Sequence, residues 1–192
     1  MIFFDQDSEP TNDLIIGLRD KFIELSHTSK IAAIGPKIID KSSITGTQDS
    51  NTVYEIDKII SSGTFTSLKN IECIGGMDEK LFIDFVDHEW CWRARFNGYN
   101  IFITSSFHLN HRIGIKNVKF WGIHLHITAP IRYFYRYRNF RKLISRKYVP
   151  FKWKCHTFLH FLIIMFLIPF CTAFKGQKIS SLKYAIMGIF SK

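Results

Sequence analysis

A few carboxylates and one histidine stand out by type and spacing. Asp5 and Asp7 follow the apolar opening Met1–Phe4 at i and i+2. Where a strand ends and the backbone turns, such a pair can approach one hard divalent cation through oxygen. Taken alone, such a pair is more often a solvated turn that caps the next helix. Asp84, Asp87 and Glu89 crowd among Phe82, Ile83, Phe85, Trp90 and Trp92, with Arg93 one helical turn beyond Glu89. Carboxylates held beside aromatic rings indicate a cleft. The same residues also suit an acid-rich helix start with an i,i+4 ion pair. His111, in His111-Arg112-Ile113-Gly114, can complete a cation site begun by Asp7 or serve as a structural histidine.

The elements that must position these groups follow from periodicity. Met1–Phe4 reads as a short buried strand. Leu14, Ile15, Leu18, Phe22 and Leu25 recur at 3–4 spacing and predict a helix over 12–30, capped by Thr11 or Asn12. Strands are expected at 31–34, stopped by Gly35-Pro36, at 53–60 and at 101–104. Residues 40–52 read as a loop and 61–64 as a turn. Short helices are expected at 67–74, closed by Gly75-Gly76, and from about 86 to 97, with Gly98 just past the end. Strands and helices mixed in this order indicate an α/β fold.

Charge divides the chain. Positions 1–89 carry all 16 acidic residues and eight of the 26 Lys and Arg; positions 90–192 carry the other 18 and no acid. The second half must meet something anionic. Over 131–148, Tyr133, Tyr137, Phe140, Ile144 and Tyr148 form a stripe between seven Arg and Lys, which predicts a basic amphipathic helix. The 20 uncharged residues 155–174 could just cross about 30 Å of hydrocarbon. Pro169, His156 and His160 favour an interfacial helix instead; simple packing on the rest of the chain is the third possibility. No nucleic-acid-binding motif accompanies the positive charge. Four widely spaced cysteines exclude a disulfide scaffold or zinc finger, and the absence of a signal-peptide opening leads to the expectation of a reducing compartment.

Several spaced motifs together carry a resemblance. Phe3-Phe4-Asp5-Gln6-Asp7-Ser8, Ile60-Ser61-Ser62-Gly63, Gly75-Gly76-Met77-Asp78-Glu79 through Arg93, and His111-Arg112-Ile113-Gly114 follow one another in the order seen in family 2 glycosyltransferases. Within that family the chain resembles the bacterial rhamnosyltransferases of O-antigen and other surface polysaccharides. The likeness runs from residue 1 to about 148, with Arg138-Asn139 also fitting.

That resemblance implies a GT-A fold and an inverting, metal-dependent transfer of a sugar, rhamnose from a dTDP donor, to a lipid-linked or glycan acceptor. Asp5, Asp7 and His111 match the ligands of Mg²⁺ or Mn²⁺, and Asp87 matches the general base, with Val86 in place of the usual Glu before it. Ser62, Gly63, Gly76, Asp84, Glu89, Trp90 and Arg93 match positions that line the donor and acceptor cleft. The expected division is a partial GT-A domain over 1–126 and basic and apolar helices over 127–192. The family's paired carboxylate-and-metal pattern begins late in the GT-A domain, so roughly 90 residues, about three βα units, are expected to be missing ahead of Met1. The resemblance further implies a peripheral place at the cytoplasmic face of the inner membrane, against an anionic lipid surface, with no nucleic-acid partner. The alternative is an inactive fragment that only binds membrane or a partner. Asp7, Asp87 and His111 are expected to converge on one cleft.

Overall fold

The computed structural model describes residues 1–6, 8–40, 52–111, 116–120, 123–170 and 176–191; for 39–40, 110–111, 116–120 and 123–127 only the backbone is described. Two compact units divide the chain: Met1–Met77 with Asp87–Ile113, and Asp78–Val86 with Gly114–Lys192.

The first unit is a mixed sheet covered by helices, an open α/β arrangement. Its elements are α1 (Asn12–Ser26), β1 (Ile31–Asp40), β2 (Val53–Glu55), β3 (Phe65–Thr66), α2 (Leu68–Ile74), most of α3 (Val86–Phe96) and β4 (Asn100–His111). The sheet order is β2-β4-β1-β3; β1 and β4 run parallel, and β2 and β3 are antiparallel to their neighbours. Adjacent strand residues point to opposite faces. Ile34 and Leu109 meet Leu14, Leu18 and Phe22 of α1, joined by Ile31 where the register of β1 slips, while Ala33 and Ile101 meet Trp90, Cys91 and Ala94 of α3. Gly17 is required where it stands: a Cβ there would lie 1.9 Å from the Phe107 ring.

Several boundaries differ from the sequence reading, each for a local reason. The opening segment is a single bridge, Ile2 with Phe65, rather than a full strand, although Met1 and Phe3 exchange backbone hydrogen bonds with Thr66, Thr64 and Gly63. Helix α1 is capped by Thr11 as expected but stops at Ser26. The hydroxyls of Ser26, Thr28 and Ser29 donate to the carbonyls of Ile23 and Leu25 and satisfy its last turn. Strand β1 does not stop at Gly35-Pro36 but runs to Asp40. Its register against β4 slips between Pro36↔Thr104 and Lys37↔His108, so the extra residues of β4 bulge out opposite the proline that cannot donate. Pairing of β2 ends at Glu55, short of residue 60. The expected loop at 40–52 lies, apart from its ends, outside the described residues.

The second unit is built on helices. A hairpin of β5 (Lys116–Phe120) and β6 (Ile123–Ile127) precedes α4 (Pro130–Ile144), α5 (Phe151–Leu167) and α6 (Lys178–Phe190). The hairpin and α6 lie outside the elements expected from the sequence. Tyr133, Tyr137 and Phe140 of the α4 stripe are buried against Phe161, Ile164, Ile168 and Ala185; Ile144 is exposed, and Tyr148 lies past the helix end. Among the described residues, no helix is long and apolar enough to cross a membrane. Helix α6 approaches α4 through Ser181, Ala185 and Gly188, all buried.

A Cβ on Gly188 would lie 2.3 Å from the Phe134 carbonyl oxygen. Gly188→Ala should therefore cost about 1–3 kcal/mol as the helices are forced apart. Urea unfolding checks this, with Ser180→Ala on the same helix as a nearly neutral control.

Candidate functional site

In the first unit, the opening carboxylate sits on a turn tied to Ser62. The Ser8 amide donates to the Asp5 carbonyl at 3.0 Å, closing Asp5–Ser8. The Ser62 hydroxyl lies 2.6 Å from that of Ser8 and accepts from the Asp5 amide at 3.4 Å. Gly63 follows with φ +81°, and a Cβ there would strike the Pro36 ring at 2.8 Å. Asp5, Ser62 and Gly63 are thus brought together, with the Asp5 side chain exposed. Asp7 and the side chain of His111 lie outside the described residues. Among those described, no group of three His, Cys, Asp or Glu side chains could hold a metal ion. Asp5 alone of the three expected ligands is available to judge, and its exposed carboxylate is the oxygen donor a hard divalent ion takes.

A recess of about 280 Å³ opens beside Ser62, lined by Gly35, Pro36, Lys37, Ile38, Lys58, Ile59, Ile60 and Ile103. Lys58 was not anticipated, because a lysine after Asp57 carries no sequence signal. Its ammonium lies 5.9 Å from the Trp92 ring centre. Burial lowers its pKa below the usual 10.5, and Asp87 and Asp57 pull it partly back. Asp87 stands in the first turn of α3, half-buried, its carboxylate accepting from the His88 amide at 2.8 Å. A carboxylate and two lysines thus belong to this end of the unit. The buried Cys91 thiol nearby is pushed up to about 12 by desolvation and is inert as a nucleophile.

Gly76, Glu89, Trp90 and Arg93 form a second group, and their geometry explains their spacing. Helix α2 ends at Ile74, leaving carbonyls without partners. Arg93 donates to the Ile74 and Gly76 carbonyls at 2.5 and 2.7 Å, and the Trp90 indole donates to Gly75 at 2.8 Å. Glu89, 1% exposed, holds Arg93 through two hydrogen bonds of 2.9 and 3.0 Å. These four residues cap α2 and fix it to α3.

Asp84 belongs to the second unit, in a segment of unusual backbone. Phe82, Asp84 and Phe85 all have positive φ, of 60°, 64° and 68°. Such values cost about 1–3 kcal/mol each for residues other than glycine and persist only when neighbours dictate them. Helix α4 supplies those neighbours. The Asn139 amide nitrogen donates to the carbonyls of Leu81, Ile83 and Asp84 at 2.9, 2.7 and 2.9 Å. Arg132 pairs with the Asp84 carboxylate at 2.6 and 3.2 Å, Arg138 donates to Lys80 and Leu81, and Arg146 pairs with Asp78. Phe85 packs edge-on against Trp153.

The chain is 36% identical over 166 residues to the dTDP-rhamnosyl transferase RfbF of Shigella flexneri, covering 78% of this chain and 55% of that protein. It spans about half the length of the curated relative it matches. No family model matches the chain. No solved structure matches it.

Two outcomes follow. Between its lowered folded value and 10.5, Lys58 binds fewer protons folded than unfolded, so its contribution to stability rises with pH across that interval. Lys58→Met should be neutral or stabilising at neutral pH, and its advantage should shrink as the pH rises towards 10.5; urea melts over the alkaline range measure it. Asn139→Ala should leave the Ile83 and Asp84 carbonyls unpaired at about 1–3 kcal/mol each, the Leu81 carbonyl keeping Arg138 as donor. Hydrogen exchange should show the amides of 79–86 losing protection before the rest of the second unit.

Proposed function

We propose that this chain is part of a glycosyltransferase that moves rhamnose from a dTDP-activated donor to a glycan acceptor in surface-polysaccharide synthesis. The likeness to a dTDP-rhamnosyl transferase over most of the chain carries the reading. The finer assignment is to family 2, with a GT-A fold and inversion at the anomeric carbon. The acceptor is a lipid-linked or polymeric sugar, met at the cytoplasmic face of the inner membrane.

The chemistry asks for one base. An acceptor hydroxyl is a poor nucleophile until a carboxylate takes its proton. Asp87 is the residue for this role: its side chain is half-buried at the start of α3, and the next residue's amide orients one oxygen. As the proton passes to Asp87, the acceptor oxygen bonds to the anomeric carbon and the bond to the diphosphate breaks, releasing dTDP. A single displacement of this kind inverts the configuration. Lys37 and Lys58 on the recess complement the negative diphosphate. Mg²⁺ or Mn²⁺, when bound by Asp5, Asp7 and His111, would supply positive charge to the leaving group. Gly63 and Ser62 shape the turn beside the donor, while Glu89, Trp90, Arg93 and Gly76 keep the acceptor-side wall in place. Asp84, matched by the resemblance to the donor and acceptor cleft, is held by Arg132.

The exposed apolar side chains of α5 favour one other reading, a membrane- or partner-binding protein without catalysis. Titration of the purified chain with dTDP-rhamnose, with and without Mn²⁺, separates the two: metal-dependent binding supports the transferase, and none supports the alternative. Turnover is measured in a chimera that carries this chain in place of the matching region of RfbF. Asp87→Asn should lower kcat by about 10²–10⁴-fold with donor affinity kept, and Asp7→Ala should weaken metal-dependent donor binding. Equal loss of donor binding in both variants would move Asp87 into the metal site.

A further inference from the structure

Helix α5 presents hydrocarbon on both sides. Thr157, Phe161 and Ile164 turn inward against the core around Tyr137 and Phe140. The positions between them, Phe158, Leu159, Leu162, Ile163 and Phe166, recur at 3–4 spacing and are all exposed, Phe166 to 70%. A water-facing helix places polar residues there. A continuous apolar face of this kind marks an interaction surface.

An apolar groove of about 250 Å³ runs beside the stripe, between α4 and α5. Phe158 and Leu162 belong to both groove and exposed face, so the two are continuous. The Tyr137 ring stacks on Phe161 at 4.3 Å, and its hydroxyl donates to the Phe161 carbonyl at 2.8 Å. The tyrosine proton is therefore satisfied inside the core and away from the groove.

The surrounding charge selects the occupant. Arg141 lies on the groove, and Arg141, Lys147 and Lys152 are exposed along the segment that leads into α5. No acidic residue follows Glu89 in the chain; of the three acids of this unit, Asp78 and Asp84 are paired with Arg146 and Arg132 and Glu79 is exposed. A second copy seated through the same stripe would bring like charges together. An anionic bilayer offers hydrocarbon with negative head groups beside it.

We propose that the outward face of α5 is a membrane-docking surface. The helix lies in the plane of an anionic bilayer, with Phe158, Leu162 and Phe166 in the acyl region and Arg141, Lys147 and Lys152 among the head groups. The groove beside it takes a lipid acyl chain. This sharpens the peripheral placement proposed above and rests on it, but not on catalysis.

Flotation of the full chain with phosphatidylcholine vesicles, with and without phosphatidylglycerol and in the absence of donor and acceptor, tests the surface; its failure leaves the transferase reading standing. The chain should float with the anionic vesicles, and salt should weaken the binding. Phe158→Ser, Leu162→Ser and Phe166→Ser combined should weaken partition by ~100-fold or more. Arg141→Gln, Lys147→Gln and Lys152→Gln combined should weaken it about fivefold per charge, on anionic vesicles only. A fluorophore on the exposed Cys155, with Cys73→Ser and Cys171→Ser, gives a readout in the otherwise unaltered fold: doxyl-labelled lipids should quench it. Flotation of the apolar variant like the parent, equal binding to neutral and anionic vesicles, an unquenched Cys155 label, or a lipid-indifferent dimer cross-linked through Cys155 would each overturn the proposal.

Discussion

One side-chain amide, that of Asn139, satisfies the carbonyls of Leu81, Ile83 and Asp84 in a segment where three bulky or charged residues adopt left-handed backbone. Without a buried donor those carbonyls would turn to water, and the strained conformation would relax. Asn139 can reach them because α4 is packed immovably on its other side, through Tyr133, Tyr137 and Phe140. Core packing thus fixes the helix, the helix fixes the amide, and the amide fixes the backbone that leads into α3. Arg138 completes the arrangement by donating to the Asn139 side-chain oxygen at 3.2 and 3.0 Å, which leaves the amide nitrogen facing the carbonyls.

The same helix changes the meaning of the chain's positive charge. Read as a list, the arginines of 131–148 form a surface waiting for an anion. Three of them instead answer groups within their own unit: Arg132 meets Asp84, Arg138 meets backbone carbonyls, and Arg146 meets Asp78. Burial alone would raise the Asp78 carboxyl, but the Arg146 hydrogen bond wins and holds it below the usual carboxylate range. Of the cations left facing outward, Arg141 lines the apolar groove beside α5.

In the first unit a comparable economy joins α2 to α3. Three carbonyls at the end of a short helix need donors, and the indole of Trp90 and the guanidinium of Arg93 provide them. Glu89 can be buried because its charge is met by two parallel hydrogen bonds from Arg93. Gly75 must be glycine on two grounds: its φ is +92°, and a Cβ would stand 2.7 Å from the Arg93 terminal nitrogen. Residues that resemble a ligand-lining motif are thus also the ties that position the α3 helix on which Asp87 stands.

Local chemistry determined what the sequence could declare by itself. The α1 stripe and its Thr11 cap, the closing of α2 at Gly75, the Glu89–Arg93 pair and the α4 stripe are all relations between residues within a turn or two. Asp84, Asp87 and Glu89, neighbours in the sequence, instead take separate partners: Arg132, the His88 amide and Arg93. Tertiary structure decided what depends on partners far along the chain. Strand β1 passes through Pro36 because β4 bulges opposite it. Lys58 joins the recess with Asp87, remote in sequence, offsetting part of the cost of burying its charge. Helix α6 packs closely because Gly188 faces the Phe134 carbonyl. Left-handed backbone at Phe82, Asp84 and Phe85 has no signal in those residue types, since the amide that permits it lies on another element.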